Sequence, residues 1–143
     1  MRTPLDTLNF SNRFVKQLPA DPVTDNFCRQ VESACFSYVT PTQVQSPKTL
    51  ATSSDVLETL GISGDTTDLL NNPALADILT GNRRLPGMKP YATCYGGHQF
   101  SNWARQLGDG RAINLGEVTT EQGFYTLQLK GAGMTPTPDA QMA

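Results

Sequence analysis

The sequence is short of the residues that most enzymatic chemistry uses. It holds one histidine, His98, and three cysteines, Cys28, Cys35 and Cys94. A structural zinc site takes about four ligands of these kinds, so none is expected. An odd cysteine count without an apolar leader reads as reduced thiols in a cytoplasmic protein, not as a disulfide framework. Charge is also scarce: charged residues make up 17% of the chain and the net charge is -2. That balance leaves no electrostatic footprint for nucleic acid or for an anionic membrane surface. No apolar run nears the ~20 residues that cross a bilayer. The start, "MRTPLDTLNFSNRF", lacks the apolar region of a signal peptide. Neither nucleic acid nor membrane is therefore an expected partner. A hydrophobic content of 38% over 143 residues is lean, and fits one domain with a modest core.

What the chain has instead is turn formers, with ten prolines and twelve glycines. Pro4, Pro19 and Pro22 break the first stretch, which reads as loop with a helical turn at Phe14, Val15 and Leu18. Residues 25–39, "DNFCRQVESACFSYV", carry apolar side chains at Phe27, Val31, Ala34, Cys35 and Tyr38, the spacing of a helix. Phe36 to Val39 equally suit the start of a strand. Two helices are better signed. Ser53 or Ser54 caps one, with Val56, Leu57 and Leu60 as its stripe and Gly61 as its stop. Asn72 caps the other, Pro73 takes its first position and Gly81 closes it. Residues 83–106 read as an ordered loop with a short strand or turn, Trp103 as core and His98 as a hydrogen-bonded structural residue.

The last third alternates. Residues 111–118 put Ile113, Leu115 and Glu117 on one face, and Ala112, Asn114 and Val118 on the other. After a turn, Tyr125, Leu127 and Leu129 face one way and Thr126, Gln128 and Lys130 the other. Gly108-Asp109-Gly110-Arg111 stands at the entrance of this hairpin. Glycines between strands expose backbone N–H groups to a phosphate, and arginine adds a fork that fits its oxygens. A strand lysine following a glycine-rich turn is also how kinases hold nucleotide phosphates. Two readings stand on pattern alone. One is a phosphate site of Gly108, Gly110, Arg111 and Lys130; the other is an ordinary hairpin turn with a solvated lysine.

Longer blocks favour the first. "NRFVKQLPADP", "ACFSYVTPT", "GNRRLPGMKPYATCYGGHQF", "NWARQLGDGRAINLGEV" and "LQLKGAGMTP" together resemble the N-terminal part of the selenoprotein O family. The resemblance covers most of residues 8–136. It implies a protein-kinase-like fold that binds ATP in a flipped orientation and uses a divalent metal, magnesium or manganese. It implies transfer of AMP to Ser, Thr and Tyr hydroxyls of protein substrates. Carried over, Gly108, Gly110 and Arg111 match the nucleotide-contacting loop and Lys130 matches the phosphate-binding lysine. The family pattern has glycine where this chain has Ser101 and Arg105, and Arg105 lies just before the nucleotide loop.

The expected architecture is α+β. An irregular, helix-containing extension covers residues 1–90, and the start of a kinase-like N-lobe antiparallel sheet covers 91–136. An aberrant tail, "TPDAQMA", covers 137–143. The resemblance places the catalytic aspartate, the metal-binding Asn and Asp and the lysine's glutamate partner beyond residue 143. No catalytic residue and no metal ligand is expected within this chain. The tail can be encoded so that one added nucleotide turns it into Tyr-Ser-Arg-Arg-Ala-Asp-Gly, the family's continuation. The expectation is the N-terminal part of a protein adenylyltransferase, holding part of the nucleotide site and inactive by itself; the alternative is a frameshifted, truncated product, at most a weak nucleotide-binding module.

Overall fold

The computed structural model describes residues 3–137, so most of the tail, residues 138–143, lies outside the described residues. Six strands form an antiparallel sheet, flanked by short helices: an α+β arrangement. A 3-10 turn over Pro4–Thr7 precedes β1 (Asn9–Phe10) and α1 (Arg13–Gln17). β2 (Phe36–Tyr38), α2 (Ser54–Thr59), α3 (Thr66–Leu70) and α4 (Pro73–Leu79) follow. The chain then gives β3 (Tyr91–Gln99), β4 (Asn102–Gly108), β5 (Ala112–Thr120) and β6 (Gly123–Lys130). The path β1-β5-β3-β2 forms the body of the sheet; β4 pairs with β3 and β6 with β5. Two strands from the first ninety residues thus belong to the same sheet as the last third. No helix among the described residues is long and apolar enough to cross a membrane.

The helix caps follow the sequence. The Ser53 side chain accepts from the Val56 N–H and Gly61 turns away at φ 68°. The Asn72 side chain accepts from the Leu75 N–H, with Pro73 at the first position and Gly81 at φ 80°. Both glycines take the left-handed stop that other residues adopt only with strain. The α2 stripe is narrower than expected. Leu57 and Leu60 pack onto the core, whereas Val56 is 55% exposed. Helix α3 had not been anticipated, although Asp65 caps it by accepting from the Thr67 N–H.

Several expectations are corrected. Residues 25–35 form no helix; the strand alternative holds, with β2 beginning at Phe36. Tertiary bonds hold the stretch open: the Arg29 N–H donates to the Pro136 carbonyl, and the Arg29 guanidinium bonds to Asp21. Residues 91–108 are not a loop but the β3–β4 hairpin. Its glycines let side chains cross closely, since a Cβ on Gly96 would stand 2.5 Å from the Trp103 ring and one on Gly97 2.5 Å from Leu107. Trp103 is not core: it is 59% exposed and tilts against His98, whose side chain makes no hydrogen bond among the described residues.

A further correction is in β5. Its register against β6 shifts between Asn114 and Gly116, so Leu115 is an extra residue. Beyond it, Val118 joins Ile113 on the face of Leu127 and Leu129, while Glu117 joins Ala112 and Asn114 on the face of Gln128 and Lys130. Burial of Leu115 draws the bulge inward, against the helical layer of Leu69, Leu75 and Ile78. Each such aliphatic side chain contributes about 1.5–3 kcal/mol when removed from water. A second cluster, Val39, Ala92, Ile113 and Ala132, closes the β2 side. Phe14 stacks on Tyr91 at 5.2 Å, with Phe36 edge-on to Tyr91.

Candidate phosphate-binding site

β4 ends at Gly108 and β5 starts at Ala112, so Asp109, Gly110 and Arg111 make the connection. The Ala112 N–H donates to the Asp109 carbonyl at 3.0 Å and closes the turn. Gly110 has φ 64°, a conformation that glycine takes without steric cost. The Asp109 carboxylate pins the turn to its neighbours. It accepts from the Thr93 N–H at 2.8 Å, from the Thr93 hydroxyl, and from Asn114 Nδ2 at 3.2 Å. Asn114 Oδ1 accepts in turn from Gln128 Nε2 at 3.0 Å. A polar row therefore runs from β3 through the turn to β5 and β6.

Lys130 continues that row. It lies opposite Ala112, on the same sheet face as Gln128 and Asn114. The Ala132 N–H donates to the Arg111 carbonyl at 2.8 Å, so the end of β6 stays beside the turn. The register sets Lys130 opposite Ala112, the residue that follows Gly110 and Arg111 of the turn, and sets Gly108 opposite Cys94. Arg111 and Lys130 are exposed. Neither has a carboxylate partner among the described residues. The N–H groups of Gly110 and Arg111 also have no acceptor among the described residues. Arg111 and Lys130 are two exposed cations, whereas Gly110 is itself buried; cations beside unpaired amides are chemistry that a phosphate chain uses.

Gly108 has a packing reason as well. A Cβ on Gly108 would stand 2.0 Å from Thr137 Oγ1 and 2.3 Å from the Thr137 carbonyl oxygen. Thr135 and Thr137 are buried beneath the turn. The Thr135 hydroxyl donates to the Gly110 carbonyl, and the Thr137 hydroxyl to the Thr93 carbonyl at 3.3 Å. On its far side this segment is held by the Arg29 N–H on Pro136 and by Asn26 Nδ2 on the Met134 carbonyl. Gly108 thus admits the chain's own backbone on one side, a role the sequence does not announce.

Sequence reasoning passed over Asp109, Thr93, Asn114 and Gln128. The anchoring role of Asp109 depends on which strands meet. Its charge is felt nearby. Burial, then the carboxylates of Glu117 and Asp109, push the Tyr91 phenol up to about 12. Glu117 sits farther along β5, where hydrogen bonds from Arg13, against the cost of burial, and from Ser11 hold its carboxyl down to about 2. Among the described residues there is no group of three or more His, Cys, Asp or Glu able to hold a metal ion.

The chain is similar to known proteins along most of its length. The family model described as protein adenylyltransferase SelO matches residues 23–139. The protein nucleotidyltransferase YdiU of Methylobacillus flagellatus is 58% identical over 130 residues, 90% of this chain and 24% of that protein. The YdiU of Rhodopirellula baltica is 55% identical over 130 residues, again 90% of this chain and 24% of its own length. That of Flavobacterium johnsoniae is 48% identical over 132 residues, 92% of this chain and 25% of the relative. The chain spans about a quarter of the length of these relatives. By that match over residues 23–139, this chain belongs to the protein adenylyltransferase SelO family.

Proposed function

We propose that this chain is the nucleotide-phosphate-contacting N-terminal part of a protein adenylyltransferase. The longer protein transfers AMP from ATP to a Ser, Thr or Tyr hydroxyl of a protein substrate. The hydroxyl oxygen bonds to the α-phosphorus and pyrophosphate leaves. The observation that carries the reading is the pairing of Lys130 with Ala112, one residue past the Gly108–Arg111 turn. A glycine turn between two strands, with a lysine on the next, is the arrangement of a kinase N-lobe. In this reading Arg111 and Lys130 neutralise phosphate oxygens and the amides of Gly110 and Arg111 donate to them. Gly108 lets the strand and the segment under it come close enough to hold the turn. The magnesium or manganese that accompanies ATP in such chemistry finds no three-ligand cluster among the described residues, so no step is drawn through it.

The 143-residue chain alone does not transfer AMP in this proposal. Phosphoryl transfer needs positioned carboxylates as well as cations, and this chain spans about a quarter of its relatives. ATP is expected to raise the thermal midpoint of the purified chain. Arg111→Ala and Lys130→Ala are expected to abolish that shift while leaving the ATP-free midpoint within a degree or so, as exposed substitutions do. An ATP shift unchanged in both variants refutes the site. With labelled ATP, metal and a protein acceptor, no label above the Lys130→Ala background is expected; transfer above it refutes the inactivity of the chain.

A further inference from the structure

Cys35, just before β2, and Cys94, in β3, are joined by a backbone hydrogen bond. β2 and β3 are antiparallel, with Phe36 opposite Thr93 and Ser37 opposite Ala92. Cys35 is the residue just before β2, and its own N–H donates to the Pro19 carbonyl; continuing the register by one residue sets it opposite Cys94, whose N–H donates to the Cys35 carbonyl at 3.0 Å. Directly opposed residues send their side chains to the same face, with α-carbons about 5.5 Å apart at a hydrogen-bonded position. A disulfide spans about 4.4–6.8 Å between α-carbons. The Cys94 thiol donates to the Ala34 carbonyl at 3.2 Å, so it is turned toward the segment that carries Cys35. Burial, and next the Cys35 thiol beside it, push the Cys94 thiol up. Cys28 is free and exposed, in the irregular stretch before β2.

We propose that Cys35 and Cys94 form a redox modification site, closing a reversible cross-strand disulfide when the chain meets a low-molecular-weight disulfide such as oxidised glutathione. Cys35, the less buried of the two, reacts first. It loses its proton to solvent, and its thiolate attacks one glutathione sulfur and expels a glutathione thiolate. Cys94 then loses its proton, attacks the Cys35 sulfur of the mixed disulfide and expels the second glutathione. Two protein S–H bonds and one glutathione S–S bond become one protein S–S bond and two glutathione S–H bonds, with no other oxidant. Closure fastens β2 to β3 at the residue that pairs with Gly108 on its other side. The bond is independent of the nucleotide reading, and thiol chemistry tests it alone.

The full chain is equilibrated with oxidised and reduced glutathione, quenched by alkylation, digested and mapped by mass spectrometry without reduction. The expected end product is a Cys35 peptide joined to the Cys94 peptide, with Cys28 alkylated. The link should persist in Cys28→Ser, vanish in Cys35→Ser and reverse on adding reductant. The same mapping in guanidinium should give scrambled pairs, because the native fold makes the choice. Native pairing through Cys28, glutathione adducts alone at the end point, or native pairs distributed as in guanidinium would each overturn the proposal.

Discussion

Ser101 and Arg105 hold backbone angles that glycine adopts freely. Phe100 and Ser101 form the two-residue turn of the β3–β4 hairpin, at φ 49° and 67°. Positive φ at both central residues is what a type I′ turn demands. Arg105, at φ 64°, sits where the register slips opposite Gly97, the glycine position of a bulge. Ser101→Gly and Arg105→Gly should each stabilise the chain by about 0.5–1 kcal/mol, the left-handed strain relieved less the extra freedom of unfolded glycine. Urea midpoints should rise at unchanged slope, and a lowered midpoint in either variant would refute the strain. Family resemblance marked these two positions as departures from glycine, and the backbone supplies the reason. Asp109 is the opposite case. Its residue type was visible, but its three bonds join groups 5 and 16 residues away, which no local pattern reports. Asp109→Ala leaves the Thr93 N–H and the Asn114 amide without an acceptor, and should cost about 1–3 kcal/mol in urea unfolding. It should also weaken the ATP-dependent thermal shift, because the turn that presents Arg111 loses its anchor.

Among the elements, what was legible was what neighbours in sequence decide. The Ser53 and Asn72 caps, the α1 turn and the alternation of β6 rest on local residues, and all are present. The β5 alternation failed after Asn114 because one bulged residue moves every later side chain to the other face. That slip brings Glu117 to the first turn of α1. Its carboxylate accepts from the Ser11 hydroxyl, the Arg13 N–H and the Arg13 guanidinium, which also lies over the Phe124 ring. Asp21 does similar work for the loop before β2. Burial opposes its charge, but bonds from Ser37, the Val23 N–H and Arg29 outweigh this and lower its pKa. Both carboxyls titrate lower in the folded chain than in the unfolded one. The stability they add is present above the ordinary carboxylate range and is lost as pH falls. For Glu117 the window runs from 4.5 down to about 2. Urea midpoints should hold steady above about pH 5 and drop below it. Glu117→Gln should lower the neutral-pH midpoint and flatten that drop, so the two curves converge in acid. Parallel curves would show that the pair adds nothing pH-dependent.

At the scale of the whole molecule, the sheet and the N-terminal region share their cores. Of the eight buried residues in the larger cluster, Leu115 is the one that follows β3; Leu5, Ile62, Leu69, Leu75, Ile78, Leu85 and Met88 precede it. Leu127 and Leu129 pack against that same layer. The smaller cluster takes Val39 from beside β2, and β1 and β2 cover the edges of β5 and β3. Stripped of residues 3–90, the β3–β6 strands would expose the apolar faces of Ile113, Leu115, Leu127 and Leu129 with no second layer. A sheet with one bare face has too little buried area to offset the entropy of ordering its chain. Residues 91–137 made alone should therefore show no cooperative thermal transition and should bind a hydrophobic dye, whereas the 143-residue chain should melt in one step. Adding residues 3–90 in trans should restore a transition if packing alone is missing. A sharp transition from 91–137 alone would show that the glycine turn and Lys130 rest on a self-sufficient sheet, and that the helices before it serve another purpose.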